Sequence, residues 1–192
     1  MNKLVIAHEL GHAVCAEAQD GFWYPSGLSF EKDESALAYC YCEKHDQKKP
    51  DLKGPYIKLK QMMNLGGIFG ELLYGANWSP WGARCDVDEF ITANSKGKNK
   101  LMVELDGWNW IDDDELSFRA CTILSGDKAR REFVLDAHDT ARRLPHLWVA
   151  YLDFCDRIDK ATFFANVEDI ANEKQVEIDQ KQIKKIVKEI LI

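Results

Sequence analysis

The spacing of apolar residues predicts a helix at the start of the chain and a small sheet after it. Residues 2–19 carry apolar side chains at helical spacing without a proline. After a turn expected at residues 25–27, two short β-compatible runs follow at residues 28–30 and 36–42. A charged stretch separates these runs, so we expect them to form two strands of a small antiparallel sheet.

The rest of the chain is predominantly helical in pattern. Residues 56–75 return to helical spacing, with Gly66 and Gly67 in the interior of the segment, and a further helix is expected at residues 86–93 after a loop. Four more segments have the spacing of amphipathic helices: 115–125, 127–143, 147–159 and 176–192, with Pro145 as a break between the second and the third. We therefore predict a mainly α fold with a small antiparallel β-sheet, in one domain over residues 1–192. Its first half would be residues 1–94, and residues 95–192 would form a helical bundle.

Composition and net charge argue against some classes of binding partner. Hydrophobic residues make up 46% of the chain and charged residues 30%, as in ordinary globular proteins. The formal net charge of −7 argues against nucleic acid or an anionic membrane as a partner. The pattern contains no apolar run long enough to span a bilayer and no signal peptide, so we expect no membrane segment and a cytoplasmic location.

The six cysteines fit that location, because their spacing suggests reduced thiols rather than a secreted disulfide framework. Cys40 and Cys42, with His45 nearby, are interpreted as alternating residues on one face of a strand. A C-x-C pair without a distant second pair is weak support for a metal site.

The first helix contains a metal-binding pattern. His8-Glu9-Leu10-Gly11-His12 is an HExxH motif, in which two imidazoles one helical turn apart can reach the same ion. Glu9, next to the first ligand, can accept a proton from a water molecule activated at the ion. Two histidines and a glutamate without partners are costly to bury, which favours a zinc site over a chance match in a core helix. We therefore predict a zincin-like HExxH helix with Zn2+ on His8 and His12 and Glu9 as the catalytic base.

A catalytic zinc usually has three protein ligands and one open position, so a third ligand must come from elsewhere. Spacing alone leaves several chemically suitable residues open: His45, Glu71, Asp86, Asp88, His138 and His146.

Three segments together resemble the peptidase domain of FtsH-type AAA+ zinc proteases. Residues 7–14, AHELGHAV, look like the family's HEAGHA helix, and residues 25–42 resemble its neighbouring strand pair. Residues 65–75, LGGIFGELLYG, followed by GARCD at residues 82–86, look like its GGRAAEEL helix and TGAxxD segment. The match departs at Ile68-Phe69-Gly70, where the family has an arginine and small residues.

The resemblance implies a single FtsH-like peptidase domain whose metal-site half is residues 1–94. It makes Asp86 the third zinc ligand and gives Glu71 a supporting role, holding a histidine ring. The expected activity is hydrolysis of peptide bonds by a zinc-bound water that Glu9 activates. With no ATPase module before His8, we expect an ATP-independent enzyme that acts on flexible or unfolded polypeptide or borrows a separate unfoldase. FtsH-like domains also assemble with copies of themselves, so a homo-oligomer is a further expectation.

The substrate itself would add to a strand edge by main-chain hydrogen bonds, with Ala38, Tyr39 and Cys40 as the expected binding residues. An internal strand is the equally simple interpretation of the same segment.

Two other functions remain open. Residues 6–12 also look like the metal helix of the ImmA/IrrE regulatory metallopeptidases, in which Glu71 rather than Asp86 would be the ligand. Independently of these families, a helix N-cap is the non-metal interpretation of Asp86. Alternatively, the chain is a non-catalytic binding module that keeps zinc for stability and holds a partner protein in its groove.

Overall fold

The computed structural model describes residues 2–18, 23–30, 38–44, 63–94, 104 and 134–192. The predicted helix at 115–125 and His45 lie outside these residues. The helices are α1 (Lys3–Glu17), α2 (Gly66–Gly75), α3 (Arg84–Asn94), α4 (Ala137–Arg143), α5 (Pro145–Cys155), α6 (Lys160–Glu173) and α7 (Gln180–Ile190). The strands are β1 (Trp23–Ser29), β2 (Tyr39–Lys44), β3 (Asn77–Trp78), β4 (Leu135–Asp136) and β5 (Glu177–Ile178).

The described part of the chain is mainly helical with small antiparallel sheets, as the sequence predicts. One sheet has the order β2-β1-β5, and β3 pairs with β4 in a second sheet. None of the helices in the described ranges is long and apolar enough to cross a membrane.

Helix α1 lies at the centre of the fold. It begins at an N-cap, where the Asn2 side chain accepts a hydrogen bond from the Leu4 N–H. Most of it is buried on all sides, from Ile6 to Ala16, because it packs on α2, on β1 and β2, and on α6 and α7. A helix enclosed in this way has no polar face to solvent. The polar residues it does carry must therefore find partners inside the protein.

The turn predicted at residues 25–27 is wrong, because these residues belong to β1. Pro25 lies opposite Cys42 and Gly27 opposite Tyr41, so that Ser26 is an extra residue in a β-bulge. A bulge tolerates proline, which has no N–H to give to a regular ladder. The local turn signal was therefore overridden by strand pairing.

The position of Gly66 and Gly67 within the second helical segment differs from the predicted one. A short 3-10 turn, Met63–Leu65, precedes α2, which begins at Gly66. Gly66 and Gly67 are thus the first residues of the helix and not interior ones. The helix ends at Gly75, and its C-cap Ala76 has a φ of 57°, in the left-handed region.

The C-terminal helices also differ from their predicted bounds. Residues 135–136, predicted as helix, form β4, and the Asp136 carboxylate caps α4 by accepting the Asp139 N–H. The predicted helix at 147–159 is α5, which ends at Cys155. Helix α6 was not predicted at all, and the predicted segment 176–192 contains β5 before α7. Asp159 and Asp179 cap the N-termini of α6 and α7. These caps set where each helix begins, which the spacing of apolar residues alone does not predict correctly.

Aromatic side chains hold this C-terminal layer against the metal-motif half. Phe154 of α5 packs on Phe69 of α2 with ring centroids 5.5 Å apart, and Phe163 of α6 is fully buried. This layer therefore packs against both α1 and α2.

Candidate metal site

The structure brings His8, His12 and Asp86 together. The Nε2 atoms of His8 and His12, one turn apart on α1, are 3.2 Å from each other. Asp86 approaches from α3, with Oδ2 3.1 Å from His8 Nε2 and Oδ1 3.4 Å from His12 Nε2. One ligand atom from each residue lies within 4.8 Å of the others, and no other such group occurs in the described ranges.

Asp86 lies in the first turn of α3, which begins at Arg84, so it is not the N-cap. The positive end of the helix dipole favours a carboxylate at this position. Burial raises the pKa of the Asp86 carboxyl, but the charges of the two histidines and their hydrogen bonds outweigh burial, and the net pKa is lowered. Asp86 is therefore held as an anion beside both imidazoles.

The other ring nitrogen of each imidazole, Nδ1, is hydrogen-bonded to an oxygen atom of the protein. His8 Nδ1 is 2.7 Å from Glu71 Oε1, and His12 Nδ1 is 2.6 Å from the main-chain oxygen of Met63. A carbonyl oxygen can only accept, so His12 Nδ1 must carry the hydrogen, and a neutral His12 then has a lone pair on Nε2. The Glu71 carboxylate sets the same tautomer in His8.

Glu71 is held in place by a second contact. Its Oε2 accepts a hydrogen bond from the Ser79 N–H at 3.2 Å, in the segment that leads from α2 to α3. The carboxylate thus joins the His8 ring to the chain that carries Asp86. Glu71 lies on the Nδ1 side of His8, away from the Nε2 atom that faces Asp86.

The two Nε2 atoms require a shared positive partner. Two lone pairs 3.2 Å apart repel each other unless a proton or a cation lies between them. Burial lowers the pKa of both histidines, but Asp86, together with Glu71 in the case of His8, more than compensates, so that both pKa values are raised. The donor set therefore fits a cation, and protons would compete with a metal ion for the same atoms.

Gly67 leaves the space that the imidazoles occupy. A Cβ atom at this position would lie 2.3 Å from His8 Nε2 and 2.7 Å from His12 Nε2. Any side chain here would displace one or both rings. The first turn of α2 thus forms one wall of the site by having no side chain.

Three other glycines let α1 and α2 cross in backbone contact. A Cβ at Gly70 would be 1.9 Å from the Ala7 oxygen, and a Cβ at Gly11 would be 2.1 Å from the Gly66 oxygen. A Cβ at Gly66 would lie 2.6 Å from the Gly11 oxygen. This close crossing brings Glu71 within reach of His8. These roles were not predicted from the sequence, although the four-residue spacing of Ala7/Gly11 and Gly66/Gly70 is a signal that could have indicated them.

Glu9 lies on α1, which packs against β2. It is buried, and burial raises the pKa of its carboxyl, although the neighbouring His12 and His8 partly offset this. The main-chain N–H of Cys40 donates a hydrogen bond to it. A buried carboxyl whose pKa is raised holds a proton more readily than an ordinary glutamate does, as a group that accepts and returns a proton needs.

The residues proposed for substrate binding lie on or next to β2, which is an edge strand within the described part of the sheet. Ala38 is buried and precedes the strand, Tyr39 is exposed, and Cys40 is half-buried and faces α1. The Sγ atoms of Cys40 and Cys42 are 3.5 Å apart. This thiol–thiol contact was not foreseen from the sequence, which indicated only that both side chains share a face.

The remaining candidate ligands either do not belong to the group of His8, His12 and Asp86 or lie outside the described residues. His138 is exposed on α4, and His146, at the start of α5, contacts Glu104. His45 and the side chain of Asp88 are not among the described parts of the chain.

The chain matches no protein-family model, no curated protein and no solved structure. Its function has therefore to be argued from the site alone.

Proposed function

We propose that the chain is a zinc-dependent metallopeptidase with His8, His12 and Asp86 as metal ligands and Glu9 as the catalytic base. The observation that carries the proposal is the convergence of three ligand atoms within 4.8 Å on one side of an HExxH helix. Two imidazole nitrogens and one carboxylate oxygen make a donor set typical of catalytic zinc, and three protein ligands leave a position for water.

The contacts behind the ligands support zinc over a purely structural His–Asp cluster. Metal-bound imidazoles commonly donate their other N–H to a carboxylate or a main-chain oxygen, as His8 does to Glu71 and His12 to Met63. These contacts fix the tautomer that presents Nε2, and Gly67 keeps that side clear. The arrangement resembles the FtsH-type site, and a zincin-like fold for this half of the chain is part of the proposal.

Bound zinc would supply Lewis acidity and lower the pKa of a coordinated water molecule. The protein supplies the proton transfer. Glu9, buried beside the histidines, takes a proton from the attacking water and returns it to the leaving amine. The reaction is peptide hydrolysis without a covalent intermediate on the protein.

The substrate class follows from the strand next to Glu9. An extended peptide can pair with the outer edge of β2, the strand that lies beside Glu9. A flexible or unfolded segment can adopt the extended conformation that such pairing needs. We propose such segments as substrates and the cytoplasm as the setting, with a homo-oligomer or a separate unfoldase as the partner to look for.

The position of Glu71 bears on the ImmA/IrrE-like alternative. In that function Glu71 would be the third ligand, but its carboxylate is 2.7 Å from His8 Nδ1, the nitrogen on the far side of the ring from Asp86. To become a ligand, Glu71 would have to give up both this contact and its bond to the Ser79 N–H. Asp86 is therefore the better candidate.

A non-catalytic binding module differs from the enzyme in the need for Glu9. The test is cleavage of an unstructured protein such as casein by the wild type, by Glu9→Gln and by Glu89→Gln. Glu89 is an exposed carboxylate on α3, and its variant is the matched control.

We expect cleavage by the wild type and by Glu89→Gln that a chelator abolishes and zinc restores, and none by Glu9→Gln. Cleavage that survives Glu9→Gln would contradict the catalytic base. Zinc binding without cleavage by any form would favour the binding module.

A further inference from the structure

Strand β2 carries a pair of thiols that the metal site does not use. Cys40 and Cys42 are two residues apart, so their side chains share the face of β2 that packs toward α1, while Tyr39 and Tyr41 point to the other face. Both cysteines are half-buried rather than sealed in the core.

The two sulfurs are closer than their positions on a strand require. Residues i and i+2 of a strand are separated by about 6.6 Å along the chain. The Sγ atoms are only 3.5 Å apart, so both side chains are turned toward each other. Alternation along the strand explains the shared face, but the contact needs this additional convergence.

The backbone at this point can close the remaining gap. Disulfides join Cα atoms that are usually about 4.4–6.8 Å apart, so an i, i+2 pair lies at the upper limit and needs β2 to bend slightly. The partner strand is irregular here: Pro25, opposite Cys42, has no N–H, and Ser26 is the extra residue of the bulge. A weakened ladder resists such a bend less than a regular one would.

We propose that Cys40 and Cys42 form a redox modification site at which a peroxide closes a reversible intrastrand disulfide. One thiolate attacks an oxygen of hydrogen peroxide, the O–O bond breaks, and a sulfenic acid forms with release of hydroxide. The second thiol attacks that sulfur, the S–O bond breaks, and the oxygen leaves as water. In total, two thiols and one hydrogen peroxide give one disulfide and two water molecules, with sulfur oxidised and peroxide oxygen reduced.

The modification would act on the neighbouring site through the backbone. The Cys40 N–H donates to Glu9, so a bend of β2 at Cys40 shifts the group that holds this carboxyl. The thiol chemistry itself depends neither on zinc nor on peptidase activity. The proposal can therefore be tested whether or not the proposed function is correct.

Peptide mapping of the full chain tests the site directly. Trypsin cleavage after Lys32 and Lys44 yields one peptide, residues 33–44, that contains both cysteines and no other. The reduced protein is treated with hydrogen peroxide, alkylated and digested, and the mass of this peptide is measured. Cys85, an exposed cysteine on α3, reports in the same digest how far a thiol without a proposed partner has reacted.

We expect peptide 33–44 to lose two hydrogen atoms, to resist alkylation, and to regain two alkylatable thiols after dithiothreitol. The Cys42→Ser variant should never show the loss of two hydrogens. The proposal is overturned if the wild-type peptide stays doubly alkylated, or carries only separately oxidised sulfurs, at peroxide levels that oxidise Cys85.

Discussion

The two halves of the described fold are held together in opposite ways. At the crossing of α1 and α2, glycines bring backbone against backbone, and a Cβ at Gly70 would be 1.9 Å from the Ala7 oxygen. In the C-terminal layer, large side chains such as Phe154 and Phe163 fill the space between helices. The helix crossing has no space for an added side-chain atom, whereas the stability of the C-terminal layer depends on the large side chains that fill it. The candidate metal site lies in the first region, because the close crossing brings Glu71 and Gly67 to the histidines.

Removing a large side chain from the C-terminal layer should have the largest effect on stability. Phe163→Ala deletes a fully buried ring, and the lost burial and the cavity should lower the free energy of unfolding by about 4 kcal/mol. Denaturant unfolding measures it, with exposed Phe164→Ala as the control. The remaining folded protein should still bind zinc, and specific loss of zinc from the folded form would contradict the separation of the two regions.

Adding one methyl group at the helix crossing should be nearly as harmful. Gly70→Ala puts a Cβ against a backbone oxygen, which no rotamer change can relieve, so we expect a loss of about 3 kcal/mol. Gly82→Ala is the matched control, since its Cβ would have no neighbour closer than 3.5 Å. Equal stability of the two variants in thermal or denaturant unfolding would refute the backbone-contact account.

Gly67→Ala should separate the site from the fold. Its Cβ would meet only histidine side chains among its nearest neighbours, so the rings can move aside at a smaller cost in stability than at Gly70. Displaced ligands should weaken zinc binding by about 100-fold, more than the loss of a single supporting contact would. Zinc titration by calorimetry checks this, and wild-type affinity would show that the rings need no such space.

Glu71→Gln should have a milder effect on zinc. It keeps the shape of the side chain but removes the charge that sets the His8 tautomer, so zinc affinity should fall by about 10-fold. Glu89→Gln on α3 is the control. Complete loss of zinc from the Gln variant, with Asp86→Asn still binding, would instead identify Glu71 as the ligand.

The smallest effect on stability should come from removing the charge of Glu168, whose hydrogen bonds join the two regions. Glu168 of α6 accepts hydrogen bonds from Lys3 of α1 and Tyr74 of α2, and these bonds lower the pKa of its carboxyl. A lowered folded-state pKa means that the stabilisation is present above the ordinary value near 4.5 and is lost as the pH falls through the lowered value.

Glu168→Gln should therefore be slightly less stable than the wild type at neutral pH, and the two melting temperatures should converge in acid. Asp169→Asn, an exposed neighbour, is the control. A melting-temperature difference that grows toward low pH would have the wrong sign for this account.

The comparison also explains which features the sequence could predict. The HExxH pattern placed His8 and His12 on one helix face, and the predicted helix at 2–19 corresponds to α1 at Lys3–Glu17. The choice of Asp86 needed the resemblance, because the distance along the chain says nothing about which carboxylate returns to α1. The structure now brings Asp86 to both Nε2 atoms.

Other features could not be predicted because they depend on tertiary contacts. Pro25 and Gly27 are typical turn residues, yet in the structure both pair with β2, on either side of a bulge. The division of residues 135–192 depends on capping aspartates, and helix α6 was missed for that reason. The proximity of Cys40 to Cys42 depends on side-chain rotamers, which a sequence pattern does not specify.

The central claim is that His8, His12 and Asp86 bind one zinc ion, and a calorimetric zinc titration of the full chain tests it most directly. The account predicts one site per chain in the wild type, retained in Glu9→Gln and Glu89→Gln and lost in Asp86→Asn. No zinc binding by the wild type, or unchanged binding by Asp86→Asn, would contradict it.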